Sequence, residues 1–313
     1  MNHILIIADI EGASGCWSDD ASAYKTEAWA KACVDMSLDI DAVVRALFDA
    51  GVSAVTIKDF HRTGFNLLPE LIDSRARIVH GYRVGPVPGI GDPDGAELLM
   101  MIGMHAASGS GGFLCHTLTS RIAKLEVNGG LMSEAELFSA SLAPHNVRPV
   151  FFSGCPVACG QAEKTLKGIT AYPIDKSGGP GSIDVHKWSA GLAAAAVRAL
   201  DNRTEPYHPE GPFRAVITMR DGEVHAKKIA DRWSFERDED KISVEAGNIN
   251  ELYYDLIRIA YLTPLIEKAI RPCIFFYNLR GRSGLSWVRR RIRSSVKNYY
   301  DKILPGKSGR LVN

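Results

Sequence analysis

Apolar residues along this chain fall into short continuous runs separated by longer stretches of helical spacing. Ile4-Leu5-Ile6-Ile7 is a run of the kind that forms a strand buried on both faces, and it stops at Asp9. From Ser22 to Gly51 the residues Ala28, Ala32, Met36, Ile40, Val43, Val44 and Leu47 recur at helical spacing, which predicts one helix with Gly51 at its C-terminal stop. Val52 to Ile57 predicts a second strand, running into Lys58-Asp59-Phe60-His61. The same grammar returns with Leu98 to Met104 before His105, and with Val150-Phe151-Phe152 before Ser153-Gly154. Strand, polar loop, helix and strand in alternation predict an α/β fold with an open, mostly parallel sheet flanked by helices. Ligands of such sheets bind outside the carboxyl ends of the strands. Asp9, Glu11, His61 and His105 all fall there.

A proline-rich polar stretch, 202–212, breaks the pattern and reads as a linker. Beyond it, Phe213 to Met219 alternates like a strand and Ile249 to Ala260 has helical spacing, so a second, smaller α+β domain is expected. The expected organisation is an α/β metal-binding domain over 1–205, the smaller domain over 206–270, and a basic helical C-terminal extension over 271–313. In that extension Trp287, Val288, Ile292 and Val296 have roughly helical spacing among Arg289, Arg290, Arg291 and Arg293. A helix packing its apolar stripe on the body or on another subunit is favoured over one docking on an anionic membrane or nucleic acid. The overall charge agrees, since 37 Lys and Arg nearly cancel 36 Asp and Glu and give no reason to expect a nucleic-acid partner.

With 46% hydrophobic residues the chain has enough apolar side chains for a sizeable core. Six scattered cysteines do not form a secreted disulfide framework, and a reducing, cytoplasmic setting is expected. There is no signal peptide pattern at the start and no run approaching the roughly 20 apolar residues of a membrane span. Cys155 and Cys159 are spaced C-x₃-C, unlike a thioredoxin-type pair, and read as packing residues. The Gly-rich segment 177–182 reads as a flexible loop rather than an anion site.

Asp9-Ile10-Glu11 places two carboxylates on one face of an extended segment, beside Gly12 and Gly15. Two such carboxylates repel unless a cation or proton sits between them. His61 and His105, each behind an apolar strand, add neutral imidazoles, and the mixed nitrogen and oxygen set suits zinc, with manganese or cobalt as substitutes. Glu134 stands near the start of a helix predicted over Ser133 to Leu142, with Ser133 as its N-cap, and can complete the set. Taken singly, each of these residues is more ordinarily a cap or a structural side chain. Their joint placement after successive strands is what points to a metal. His116 is a free imidazole nearby, and such a ring serves as acid, base or nucleophile close to neutral pH.

These residues are the ones that carry a resemblance. Ala8-Asp9-Ile10-Glu11-Gly12 with Ser14-Gly15, Asp59-x-His61 with Asn66, Gly103-Met104-His105-Ala106, His116, and Val127-Asn128-Gly129 running on to Glu134 keep their order and spacing over roughly residues 3–142. In this the chain resembles the bacterial zinc D-aminopeptidases encoded with dipeptide-transport genes. The resemblance implies two zinc ions held by Asp9, Glu11, His61, His105 and Glu134 with the aspartate bridging, and a catalytic role for His116. It also implies release of N-terminal residues, typically of D configuration, from short peptides or amides by a large homo-oligomer.

The resemblance weakens after about residue 150. That family has Gly-Asp-Asp after its next strand where this chain has Gly154-Cys155-Pro156, and Lys176 matches a family lysine while an arginine expected after it is missing. Two alternatives follow. One keeps the dinuclear site but gives it a specialised biosynthetic amide or ester as substrate. The other is a non-catalytic zinc-containing binding protein whose basic tail docks on an anionic partner.

Overall fold

A computed structural model describes residues 2–294 of the chain. Its larger sheet has six strands in the order β3-β2-β1-β4-β7-β8, every neighbouring pair parallel. These are β1 (His3–Ala8), β2 (Ala54–Asp59), β3 (Arg77–Val79), β4 (Leu98–Met104), β7 (Arg148–Gly154) and β8 (Thr170–Pro173). The central strands need both faces covered, which is why β1 and β4 are apolar at almost every position. Ile4, Ile6 and Ala8 of β1, with Leu98, Met100 and Ile102 of β4, join a core under helices α2 (Glu27–Asp49) and α5 (Val185–Arg198). Leu5, Ile7, Leu99 and Met101 point the other way into a second core with α3 (Glu134–Leu142), α4 (Pro156–Thr165) and the smaller sheet. The open, mostly parallel sheet expected from the sequence is the observed one.

The long helix expected from Ser22 to Gly51 is broken near its start. A four-residue helix α1 (Asp19–Ser22) precedes it, Lys25 turns left-handed at φ 65°, and α2 starts afresh where the Thr26 hydroxyl accepts the Trp29 amide at 2.9 Å. A threonine cap of this kind is worth ~1 kcal/mol, enough to set a boundary that apolar spacing does not reveal. The break leaves the Ser22 carbonyl free of a helical partner, and the site uses it.

The smaller sheet is antiparallel, ordered β10-β11-β9-β5-β6, from β5 (Ile122–Val127), β6 (Gly130–Leu131), β9 (Phe213–Met219), β10 (Glu236–Asp238) and β11 (Lys241–Ala246). Helices α6 (Glu223–Trp233) and α7 (Ile249–Tyr261) cover it through Ala226, Ile229, Leu252 and Leu256. The smaller sheet takes strands from both sides of residue 205. Leu125 of β5 stands opposite Ile217 of β9, so the expected segments 1–205 and 206–270 do not coincide with the two sheets. The mixed pattern Ile122-Ala123-Lys124-Leu125-Glu126-Val127 carries no continuous apolar run to announce β5.

After α8 (Pro264–Lys268), the basic extension forms α9 (Ile270–Ser294), which lies on the body rather than away from it. Leu285, Val288 and Ile292 are buried in the core beside α2, and Trp287 stacks on Trp29 with centroids 6.1 Å apart. Arg289 forks onto both Glu70 oxygens at 2.8 and 2.9 Å. The favoured reading of the tail as a helix docked by its apolar stripe therefore holds as far as Ser294. Val296 and the rest of 295–313 lie outside the described residues. No helix among the described residues is long and apolar enough to cross a membrane.

Candidate metal centre

The residues singled out in the sequence meet at the carboxyl edge of the larger sheet. Asp9 directly follows β1, and the turn after it is pinned to β4 by the Gly12 amide donating to the Gly103 carbonyl at 2.7 Å. Gly103 is left-handed, at φ 78°, and a Cβ there would collide with the Asp9 carbonyl oxygen. Gly103→Ala should therefore cost both the ~1–2 kcal/mol of a left-handed alanine and the ~1–3 kcal/mol of an overpacked contact. The expected outcome is a denaturant midpoint well below wild type with an unchanged slope. An unchanged midpoint would show that the loop gives way at no cost.

Beneath this loop, Lys176 is buried and donates Nζ to the Ala13 and Cys16 carbonyls at 2.5 and 2.8 Å. Burial brings its ammonium down to about 8. The Ser14 amide and hydroxyl both donate to Asp39, at 2.8 and 2.9 Å. The loop bearing Asp9 and Glu11 is thus held by side chains from distant elements, and its carboxylates turn toward His61 and His105.

Hydrogen bonds to carbonyls decide the state of the two histidines. Nε2 of His61 lies 2.9 Å from the Ser22 carbonyl, which can only accept, so this nitrogen carries the proton. In the neutral ring Nδ1 then holds a lone pair, and it faces Asp9 Oδ1 at 3.2 Å and Glu11 Oε2 at 3.0 Å. Nδ1 of His105 similarly donates to the Ala106 carbonyl at 3.2 Å. Its Nε2 faces Asp9 Oδ2 at 3.4 Å and Glu134 Oε1 at 3.7 Å. Each half is a set of three convergent acceptors, and Asp9 turns one oxygen to each.

Glu11 Oε2 and His105 Nε2 are buried with no hydrogen-bond partner. Such atoms cost of order 1–3 kcal/mol each unless a proton or a cation joins them. Without a metal the rings take the protons. Burial opposes a charge on His61, but Glu11 and Asp9 outweigh it and push its pKa up to about 10; His105 is likewise raised, burial again being outweighed by Glu134 and Asp9. Burial likewise opposes the Asp9 charge, yet the two histidines hold its carboxyl well below the usual carboxylate range.

Glu134 is the first residue of α3, as the sequence implied. Ser133 and Glu136 form a reciprocal cap ahead of it, and Glu134 Oε1 accepts the Leu118 amide at 2.7 Å. His116 is partly exposed and stacks on His105 with ring centroids 3.8 Å apart and planes 13° apart. Its Nδ1 donates to the Leu114 carbonyl at 2.9 Å, which leaves the lone pair of the neutral ring on Nε2. Ligand-type atoms of Asp9, Glu11 and His61 lie within 4.8 Å of one another, and so do those of His105, His116 and Glu134. The structure therefore brings all six expected residues together, and it groups His116 with the second half of the cluster.

Sequence reasoning gave no role to several groups that build this site. Asn66 donates Nδ2 to the His61 carbonyl at 2.8 Å and to Asp59 at 2.7 Å, while Trp29 Nε1 donates to Asn66 Oδ1 at 3.0 Å. Asp59 also accepts the Asn66 and Leu67 amides, at 2.5 and 2.8 Å, and so shapes the turn that aims His61. Asp59 and Asn66 stood within a quoted motif. The Ser22 carbonyl had no signal at all, because backbone acceptors leave none in side-chain patterns.

Fold and site together define an α/β protein with a two-part buried cluster of imidazoles and carboxylates at the sheet's ligand-binding edge. The sequence profile of the M55 peptidase family, described as D-aminopeptidase, matches residues 2–256, and the chain belongs to that family. It is accordingly an enzyme of the peptidase class. A solved structure, the Zn-dependent D-aminopeptidase DppA from Bacillus subtilis, described as a self-compartmentalizing protease, shares the fold with a TM-score of 0.75. The two are 19% identical, and the match covers 83% of this chain and 97% of that one. No curated protein matches the chain.

Proposed function

We propose that the chain is a dinuclear zinc hydrolase that releases N-terminal D-amino acids from short peptides or amides. In this reading Asp9, Glu11 and His61 would hold one ion and His105 and Glu134 the other, with Asp9 facing both sets. The carrying observation is the pair of converging acceptor sets that share Asp9, with Glu11 Oε2 and His105 Nε2 buried and unpartnered. Hard carboxylate oxygens with neutral imidazoles and no thiolate suit zinc, and manganese or cobalt could replace it. When bound, the ions supply Lewis acidity, polarising a scissile carbonyl and making water nucleophilic near neutral pH.

The chain's own residues do the rest. The Ser22 and Ala106 carbonyls keep each imidazole in the tautomer that turns its lone pair inward. His116, stacked beside His105 with Nε2 free, accepts a proton at that atom and returns it to the departing amine. Free cysteines at all six positions accord with a reducing compartment, and the self-compartmentalizing relative supports a homo-oligomer.

One observation favours a narrower substrate. At the end of β7 the resembling family's acidic pair is replaced by Cys155, which is only 3% exposed, and Pro156, the first residue of α4. If those acids hold a substrate ammonium in that family, this chain lacks its partners, and a specialised amide or ester is the second reading. The test is metal content together with hydrolysis of paired D- and L-aminoacyl amides. About two zinc ions per chain and metal-dependent release of the D residue are expected. Bound zinc with turnover of neither enantiomer would move the assignment to the specialised amide, and a protein that binds no metal would overturn both.

A further inference from the structure

Residues beyond 256, where the family match ends, reach the Leu118 segment whose amide holds Glu134. Tyr261 closes α7 and keeps 47% of its surface exposed, yet its hydroxyl donates to the Leu118 carbonyl. The Leu118 amide is the one that donates to Glu134. With the hydroxyl engaged, the ring face is the part left for a ligand.

Tyr277 on α9 is 39% exposed and packs against Tyr82 at 5.7 Å between centroids. Tyr82 in turn meets Phe60 edge-on at 5.7 Å, and Phe60 meets Phe138 at 4.6 Å. Phe60 directly precedes His61, and Phe138 lies on the helix that Glu134 opens. A row of rings therefore runs from the C-terminal helix to the elements carrying both halves of the site.

This row is fixed in place. Asn278 accepts the Tyr82 amide at 3.0 Å and donates to the Tyr82 carbonyl at 3.1 Å, a two-point clamp between α9 and the loop. Tyr24 donates its hydroxyl to the Arg280 carbonyl at 2.7 Å. Gly281 sits so close to Phe65 that a Cβ would strike the ring. Rings held this way lose little freedom when a ligand stacks on them.

We infer that Tyr82, Tyr261 and Tyr277 form an aromatic wall of the substrate cleft, supplied mainly by the C-terminal segment, that selects amides with an aromatic group beside the scissile bond. This rests on the hydrolase reading for its substrate, and its test separates the two. The zinc-loaded full chain is titrated calorimetrically with the hydroxamates of D-alanine and D-phenylalanine, and turnover of the corresponding amides is followed in parallel. Wild type is expected to bind the phenylalanine probe about five- to tenfold more tightly than the alanine probe, the size of an aromatic pair contribution. Tyr277→Leu and Tyr261→Leu, which keep bulk and remove the ring, should each bring that ratio down about threefold or more with zinc content retained. Tyr277→Phe should restore it.

Equal affinities in wild type, or a ratio unmoved in both leucine variants, would overturn the wall while turnover left the hydrolase reading standing. A preference for the aromatic probe with no turnover of either amide would support the wall and overturn the hydrolase. Failure of both probes to bind would overturn both.

Discussion

Asp9→Asn is expected to lose its zinc and nearly all of its turnover. Asp9 is the one side chain that faces both halves of the cluster, Oδ1 toward His61 and Oδ2 toward His105. An asparagine of the same shape keeps one oxygen and replaces the other with an NH₂ group, which donates and has no lone pair for a metal. That group would hydrogen-bond to a histidine lone pair, so the amide satisfies by itself an atom that the carboxylate leaves for a cation. Losing the shared ligand removes the electrostatic stabilisation that Lewis acids give a developing oxyanion, several kcal/mol, or a fall of about 10³ in kcat/KM. Metal analysis after dialysis against a weak chelator and kcat/KM on a D-aminoacyl amide measure the two losses separately. A variant that kept both ions and stayed within about tenfold of wild type would sink the bridging role.

How much of this was legible beforehand differs between the layers of the structure. The continuous apolar runs at 4–7 and 98–104 mark strands that must be covered on both sides, and both are central strands of the larger sheet. Because ligand-binding residues of such sheets collect at one edge, Asp9, Glu11, His61 and His105 were identifiable from their positions after strands. Glu134 and His116 follow a segment of the smaller sheet or an irregular loop, so strand position did not mark them; Glu134 was placed by the helix start at Ser133 and His116 by its nearness to His105 in the chain, and the resemblance then gave each a role. The smaller sheet was half hidden. β9 alternates and was expected, whereas β5 and β6 are short, mixed in polarity and separated from β9 by more than one helix.

What the sequence withheld entirely was the holding structure. The helix boundary at Thr26, the Ser22 carbonyl it frees, and the buried Lys176 under the loop act through backbone atoms of residues far away in the chain. Side-chain periodicity reports which face of an element is buried and says nothing of which carbonyl will accept a given imidazole. The C-terminal helix shows the same limit. Its stripe of Leu285, Val288 and Ile292 was readable as a packing surface, but the contact of Tyr277 with Tyr82 depends on where the helix lands.

His116→Ala is expected to separate chemistry from metal binding. The main-chain amide of His116 donates to the Ala106 carbonyl at 3.1 Å, tying its loop to the residue after His105. The side chain is then held by its Nδ1 bond to Leu114 and by stacking on His105, and Nε2 is left without an assigned partner. A ring oriented so firmly, with its basic atom unused and its surface partly exposed, is placed to move a proton. Removing a positioned acid or base commonly costs about 10²- to 10⁴-fold in rate, and that fall in kcat is expected with both zinc ions retained. The grouping of His116 with His105 and Glu134 makes the competing outcome concrete. If the variant loses one equivalent of zinc along with its activity, His116 is a ligand of the second ion; if it keeps both the metal and a kcat within about tenfold of wild type, the proton passes through another group.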